Sequence, residues 1–591
     1  MGIVSFLRKL FYGNWIVPIE RLWPYIITYI VLIGWQSVTK NPIPRWMLIF
    51  LHAYVSAGIM MVLRWPIFKW VGYAIIYILF LTELVLSMLF GMHLSPTILI
   101  ILSETNGRES AEFFQTLPDK PNFWLMIVVI VMVAAINILL ENRQKRISQM
   151  LADKRKMLIT LRAVAAILLL GGICFSGCYF KLFSSQEMND VDEWRSHMRN
   201  PDDVVTKLIV AIYDGHLASK EMKLANEQVA HLKAWPQSNL TDSVNVILVI
   251  GESYIKEHTP LYGYPLDTTP FLCEEQRAGR LFAFTDVISP YNQTTRVVRN
   301  LLSCNSLGDG EHWSSAPPFT AVFKKNGYWV SMQDNQKMTD NNNLFHLFDF
   351  SLQTYLYHPV MASACYNDIN NDTFEFDGQL IENYRLHHLQ QDDNPNRKLI
   401  VFHLIGQHVS YEYRYPHDDV FSKFNIDSTS FRHEEWLTDK MRQEIADYDN
   451  ATNYNDHVIH LMTQLYTNQS TVLVYLSDHG EEVYDYRPRS GRDDFKLGPD
   501  LHQSLRYQYN VPFFIWCSDK YIATHPDIIR EIQQATGRPM MIDNTCHVLF
   551  HLAGLFTPYY KANRDVLSAT YRCPSRLVND DVIYDDVMME H

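Results

Sequence analysis

Two short segments limit what this 591-residue chain can fold into more than any other feature: VNVILVIGES at residues 244–253 and TVLVYLSDHGEE at residues 471–482. Each is an apolar, β-branched run of strand length that stops abruptly at acidic and histidine residues. Uninterrupted runs of this kind belong to strands buried on both faces, as in a parallel sheet. Two such strands deliver the residues that follow them to one edge, and open α/β sheets place their sites at that edge. Glu252, Asp478 and His479 offer carboxylate oxygen and imidazole nitrogen, a donor set suited to a divalent metal such as zinc. Further strand-like runs at 398–404 and 511–516 alternate with helical stretches, which predicts a layered α/β domain over residues 241–591.

The apolar residues, 48% of the chain, are concentrated in residues 1–181. Runs there recur at lengths able to cross a hydrocarbon core about 30 Å thick, and five spans are expected at 22–38, 46–63, 70–92, 124–140 and 162–180. A sixth run, 96–102, is too short and is placed at the interface. Trp23, Trp46, Trp70 and Trp124 stand at span starts, as interfacial anchors do. Arg143, Lys145, Arg146, Lys154, Arg155 and Lys156 fill the loop between the fourth and fifth spans. Arg8 and Lys9 lie at the start, and Arg64 and Lys69 flank the second turn. Basic loops stay in the cytoplasm, so five spans put everything after Phe180 outside. The first span shows no small-residue cleavage pattern.

The formal net charge of −13 argues against nucleic acid as a partner. Cys174 and Cys178 fall within the fifth span, which leaves Cys273, Cys304, Cys365, Cys517, Cys546 and Cys573 outside. Six cysteines in an oxidising compartment permit disulfides, and none forms a CxxC metal pattern. Residues 182–240 are charged and helix-like and are read as a bridge between the two parts. The closing NDDVIYDDVMMEH is read as a solvated tail.

Between the two metal-type strands lies FTDVISPYNQTTRVVRNLLS, residues 284–303. A loop with Pro290 and Asn292 leads into a helix beginning near Thr294 or Thr295. A hydroxyl at a helix amino terminus sits in a positive field that favours a phosphoryl oxyanion, which makes Thr294 a candidate nucleophile. On local pattern alone the plainer reading, that Thr294 is simply an N-cap, is favoured. His403 and His408 in HLIGQH follow the strand at 398–401, and His502 follows a polar loop after the second metal-type motif. Such histidines can ligate a metal, protonate a leaving group or hold a phosphate.

Four segments in order, IGES with LYGYPLDTTP, FTDVISPYNQTT, HLIGQHVSYEYRYP and LSDHGEE, resemble the phosphoethanolamine transferases of bacterial envelopes. That family includes the colistin-resistance enzymes and belongs to the alkaline phosphatase and sulfatase superfamily. The resemblance covers nearly the whole chain. It implies an alkaline phosphatase/sulfatase-like α/β catalytic domain in the periplasm, preceded by a five-helix transmembrane domain in the inner membrane. It implies transfer of phosphoethanolamine from phosphatidylethanolamine to a lipopolysaccharide acceptor, either lipid A or a core sugar, through a covalent phosphothreonine, by a monomer. Glu252, Thr294, Asp478 and His479 then correspond to ligands of zinc, one ion or two, with manganese as the alternative, and Thr294 doubles as nucleophile. His408, His502 and His403 correspond to phosphate or headgroup ligands, Asn335 and Gln336 in MQDNQKMTDNNN to substrate contacts, and Glu109 in SETNGRESAEFF to an acidic lipid-facing position.

The chain departs from that pattern in two places. The colistin-resistance enzymes flank the nucleophile helix with a cysteine pair, where this chain has Pro290 and Asn300. Their substrate-site lysine has no counterpart in MQDNQKMTDNNN. A sulfatase would need a Cys/Ser-x-Pro-x-Arg motif for its formylglycine, and Thr294-Thr-Arg-Val-Val contains none. A glycerophosphate transferase of the teichoic-acid type would keep the threonine and differ in the lipid consumed. A binding module without catalysis would have lost the ligand set, which is intact here.

Overall fold

The computed structural model describes residues 22–34, 66–90, 117–119, 122–152, 220–235, 244–337, 352–389, 397–492, 500–580 and 582–589. The chain divides into two compact units, Met1–Gly215 and His216–His591.

In the first unit three helices are described, α1 (Trp23–Gly34), α2 (Pro66–Phe90) and α3 (Phe123–Ala152). They pack through Tyr25, Tyr29, Leu32, Tyr73, Phe80, Leu84 and Met126. Polar groups join them inside the bundle: Lys69 Nζ and Tyr73 Oη donate to Glu141 at 2.6 and 2.5 Å, and Asn137 donates to Tyr77 Oη at 2.8 Å. Among the described residues one helix, over Phe123–Gln144, is long and apolar enough to cross a membrane. It turns Trp124, Val128, Val131, Ile138 and Leu139 outward. The expected spans at 22–38, 70–92 and 124–140 fall on α1, α2 and α3, while 46–63, 162–180 and the short run 96–102 lie outside the described residues. One expectation is corrected: Arg143, Lys145 and Arg146 are not in a loop but in the last turns of α3. The sequence ENRQKRISQMLA is rich in good helix formers, so the helix runs on after its apolar part ends.

The second unit is built on seven strands: β1 (Asn245–Gly251), β2 (Leu281–Phe284), β3 (Trp329–Asp334), β4 (Asp368–Ile369), β5 (Lys398–His403), β6 (Thr471–Ser477) and β7 (Phe513–Cys517). They lie in the order β2-β7-β6-β1-β5-β3-β4. All run parallel except β7, which is antiparallel to both neighbours. Every residue of β1, β5 and β6 is buried. Alternation divides their side chains between two cores: Val246, Leu248, Ile250 and Val474 on one face, Ile247, Val249, Leu473 and Tyr475 on the other. Each such side chain contributes on the order of 1.5–3 kcal/mol by leaving water.

Four further helices matter to the site: α4 (Thr294–Leu302), α5 (Asp439–Gln464), α6 (Leu501–Tyr509) and α7 (Thr545–Leu552). α4 and α7 fill the first core and α5 covers the second. A helix at 220–231 adds Ala225 and Val229 to the first core, with Leu232 just after it. The expected solvated tail is corrected. Leu577–Val578 pairs with Val582–Ile583, a short helix follows at Tyr584–Met589, and Val578 and Tyr584 are buried against Leu505 and Tyr509. The acidic residues of NDDVIYDDVMMEH mask an apolar alternation that docks.

Candidate active site

The sheet register brings the sequence motifs together. Gly251 pairs with Ser477, so Glu252 and Asp478 leave neighbouring strands at one level. His403, the last residue of β5, stands beside Ile250, and Asp334, the last of β3, beside His403. Four parallel strands therefore end in polar residues at one edge.

Two tight turns aim these residues. Ser253 adopts a left-handed backbone, φ 56°, which costs a non-glycine residue about 1–3 kcal/mol. Four hydrogen bonds offset it: its N–H donates to Asp478 Oδ1 (3.1 Å), its hydroxyl to Glu252 Oε1 (2.8 Å), Tyr448 Oη to its carbonyl (2.7 Å), and the Ile255 N–H to Tyr448 Oη (2.8 Å). In HLIGQH, Gly406 has φ 49°, and a Cβ there would come within 2.8 Å of the Glu252 backbone. Glycine is required at that point.

Glu252, Asp478 and His479 are fully buried and present ligand atoms within 4.8 Å of one another. His479 Nδ1 faces the Gly480 carbonyl at 2.9 Å, which turns Nε2 toward the carboxylates, 3.2 Å from Glu252 Oε1 and 3.0 Å from Asp478 Oδ2. Asp478 Oδ2 accepts no hydrogen bond. Thr294 is the first residue of α4. The N-cap is Gln293, without a side-chain cap bond, so the cap reading of Thr294 gives way. Its Oγ1 donates to Glu252 Oε2 at 3.0 Å and lies 3.4 Å from His479 Nε2. Two carboxylates, one imidazole and one hydroxyl around a common point, with a buried carboxylate oxygen lacking a partner, fit a zinc-like cation.

The electrostatics point the same way. Burial opposes the charge on Glu252, yet His479 beside it holds the carboxyl well below the ordinary range. Burial and Arg492 oppose protonation of His479, but Asp478 and Glu252 prevail and lift it to about 9. Burial and Glu252 push Asp478 up. The cluster draws positive charge. His408 is the contrary case: burial, with Arg414 and Arg492 nearby, lowers it to about 4, a neutral imidazole with Nδ1 unpartnered.

The other predicted residues divide. His403 pairs with Asp334 through Nδ1 (2.9 Å), while its buried Nε2 has no partner. Gln336 Nε2 reaches Glu252 Oε2 at 3.2 Å and the Leu404 carbonyl at 2.7 Å. Asn335 is committed elsewhere, donating to Asp377 Oδ1 and accepting from the Phe374 N–H. His502 lies half-buried in the first turn of α6 and is not one of the converging ligand group. Glu109 lies outside the described residues. All six cysteines of the second unit are free thiols.

Three contributors escaped the sequence reading. Asp334 orients His403, and its only signal is its place at a strand end. Arg492 lies a fifth exposed beside the cluster: its Nη1 meets His479 Nε2 and donates to the Asn292 carbonyl at 2.8 Å, and its Nε stands 3.5 Å from Glu481. Nothing in SGRDD marks it. Tyr448 belongs to DYDNATNYND on α5, whose Asp449, Asn450, Thr452, Asn453, Asn455 and Asp456 are buried as well. A stretch so polar reads as solvated, but it is interior because its side chains hold loops: Asp456 accepts the Phe271 and Leu272 N–H groups, and Asn450 bonds both backbone groups of Phe424.

The sulfatase family profile matches residues 244–555. The chain is 27% identical over 514 residues to phosphoethanolamine transferase EptC of Escherichia coli strain K12, covering 85% of this chain and 82% of that protein. It is 26% identical to phosphoethanolamine transferase CptA of Salmonella typhimurium strain LT2, covering 83% and 81%. Among solved structures, the integral membrane protein lipooligosaccharide phosphoethanolamine transferase A of Neisseria meningitidis matches 93% of this chain and 98% of its own. The TM-score is 0.59 at 16% identity, a likeness of fold.

Proposed function

The chain belongs to the sulfatase family, and from that premise we propose that it is a phosphoethanolamine transferase. It moves phosphoethanolamine from phosphatidylethanolamine onto a lipopolysaccharide acceptor, lipid A or a core sugar, by way of a phosphothreonine at Thr294. Residues 1–181 serve as a five-helix anchor in the bacterial inner membrane, 182–240 as a bridge whose helix at 220–231 packs into the catalytic core, and 241–591 as the periplasmic catalytic domain. Relatives of that name along four-fifths of the chain support the reading. The observation that carries it is the position of Thr294 Oγ1, at a helix amino terminus and 3.0 Å from Glu252 within a buried ligand set.

Glu252, Thr294, Asp478 and His479 would hold zinc. When bound, the metal lowers the pKa of the threonine hydroxyl and offsets charge on the phosphoryl group. In the first half-reaction Thr294 Oγ1 bonds to phosphorus as the phosphorus–oxygen bond to the glycerol breaks. The threonine loses its proton, and the departing oxygen gains one to leave as diacylglycerol. In the second half an acceptor oxygen bonds to the same phosphorus, gives up its proton, and Thr294 recovers its hydroxyl. The positive end of α4 and the Arg492 guanidinium face the oxygens that carry charge in both halves. Neutral His408 offers a lone pair for the acceptor's proton, and Gln336 orients Glu252.

Peptide mass spectrometry of the full-length protein after incubation with zinc and phosphatidylethanolamine tests this. A phosphoethanolamine adduct on Thr294 with release of diacylglycerol is expected, and Thr294→Ala abolishes both while its melting temperature is kept. An adduct formed from phosphatidylglycerol instead would replace this reading with a glycerophosphate transferase.

A further inference from the structure

The loop and helix that carry Thr294 have no cysteine clamp, and the end of the chain takes hold of them instead. Asp580 lies in the turn between Leu577–Val578 and Val582–Ile583. Its Oδ1 accepts from Tyr291 Oη at 2.6 Å and its Oδ2 from Arg296 Nη2 at 2.6 Å. Tyr291 and Arg296 flank Thr294, three residues before it and two after. The Arg296 guanidinium also stacks on the Tyr291 ring, 3.8 Å from its centre, so carboxylate, phenol and guanidinium close a triangle around the start of α4. A charge-assisted pair with both partners about 15% exposed is stronger than a surface bridge.

The turn is built for this contact. Asn579 and Asp580 both adopt left-handed backbones, φ 51° and 68°, two consecutive costs that persist only where the surroundings enforce them. The surroundings here are specific. The Asn579 N–H donates to the Pro290 carbonyl at 3.0 Å, and its side chain donates to Tyr509 Oη at 2.5 Å. Arg576 pairs with Asp286 upstream of the nucleophile loop and with Asp585 downstream of the turn. Thus the two ends of the segment from Asp286 to Arg296 are bound to residues 576–585, and Pro290, in the middle, is bound as well.

We propose that Asp580 is a positioning residue for the nucleophile: the carboxyl-terminal segment is a clip that fixes the start of α4 so that Thr294 Oγ1 stays in the ligand cluster. This rests on the reading of Thr294 as the nucleophile. Asp580 touches neither the phosphoryl group nor the ligand set. It acts through Tyr291 and Arg296, and loss of such a support costs activity about 10–100-fold.

Asp580→Asn in the full-length enzyme keeps the shape of the side chain and removes its charge. Turnover per active site, with sites counted by the burst of diacylglycerol, is expected to fall at least tenfold. KM for phosphatidylethanolamine and the zinc content should stay within twofold of wild type. Asp580→Glu recovers part of the loss, and the double variant with Tyr291→Phe loses less than the two single losses multiplied together. Hydrogen exchange supplies a readout independent of the donor lipid: backbone amides of residues 290–298 exchange faster in Asp580→Asn, while those of β1 and β6 do not. Unchanged turnover per site with unchanged exchange at 290–298 overturns the clip, and so does a loss that zinc content or melting temperature fully accounts for. If wild-type protein releases no diacylglycerol, the transferase reading has failed, and the exchange experiment still decides whether the clip holds α4.

Discussion

Two buried clusters in the catalytic unit are made of the same parts and behave in opposite ways. In one, His258 stands between Asp449 (2.8 Å) and Asp485 (3.1 Å), with Tyr264 Oη on the second Asp449 oxygen and the Val483 N–H on the second Asp485 oxygen. In the other, His479 stands between Glu252 and Asp478 at similar distances. The first satisfies its own polar atoms, and the His258 ring stacks on Tyr264 besides. The second leaves Asp478 Oδ2 without a hydrogen bond, with His403 Nε2 and His408 Nδ1 in the same condition nearby. A histidine between two carboxylates is therefore not itself a sign of chemistry. The sign is a buried lone pair that the fold declines to satisfy.

The comparison breaks most visibly under substitution. Asp478→Asn should remove bound zinc and lower turnover by several orders of magnitude, while the melting temperature in excess chelator stays within a few degrees of wild type. Zinc content by mass spectrometry and diacylglycerol release check this, and a variant that keeps both would make the two clusters alike after all. His258→Leu should do the reverse, costing about 3–5 kcal/mol in denaturant unfolding because it leaves Asp449 buried without its cation while Asp485 keeps only Arg432 at 3.8 Å, with zinc content per folded molecule unchanged. That cost depends on pH. Burial opposes the His258 cation, but Asp449 and Asp485 raise its pKa to about 9, above the ordinary 6.5 expected in the unfolded chain. The folded protein keeps a proton that the unfolded chain releases, so the stabilisation is complete below about 6.5 and is lost as pH rises through 9. The gap between wild type and His258→Leu should narrow over that interval. The smallest effect belongs to the residue that supports the open cluster from outside. Tyr448→Phe strands the Ser253 carbonyl and the Ile255 N–H, should cost about 1–3 kcal/mol, and should weaken zinc affinity about tenfold by titration calorimetry.

Much of this was legible in the sequence, for a physical reason. β1 and β6 are buried on both faces, so their composition had to be uniformly apolar, and the residues where the pattern breaks had to be at the edge. The same logic points to Glu252, Asp478 and His479, whereas Thr294 is marked by the loop with Pro290 and Asn292 that leads into a helix, and its choice over a plain N-cap rests on the family resemblance. Neither signal finds Asp334, Arg492 or Tyr448, because a single polar residue at a strand end, on a loop or on a helix carries no periodicity to betray its partner. The buried polar face of α5 runs against the usual rule outright. The tail reads as solvated because its acidic residues outnumber the few apolar ones that dock. Asn335 and Gln336 are adjacent in sequence and read as one pair, yet the backbone sends one toward Asp377 and the other toward Glu252.

β1 and β6 are neighbours in the sheet although one ends at Gly251 and the other begins at Thr471. The cation site therefore has no complete local precursor: Glu252 meets Thr294 within about forty residues of chain, but Asp478 and His479 come more than two hundred residues later. Contacts of such sequence separation form late, after the entropy of closing the intervening chain has been met. If the catalytic unit lies across a membrane, as proposed, this site is assembled only on the far side. Its choice of metal would then be made from the ions of the compartment of arrival, not those of the compartment where translation began.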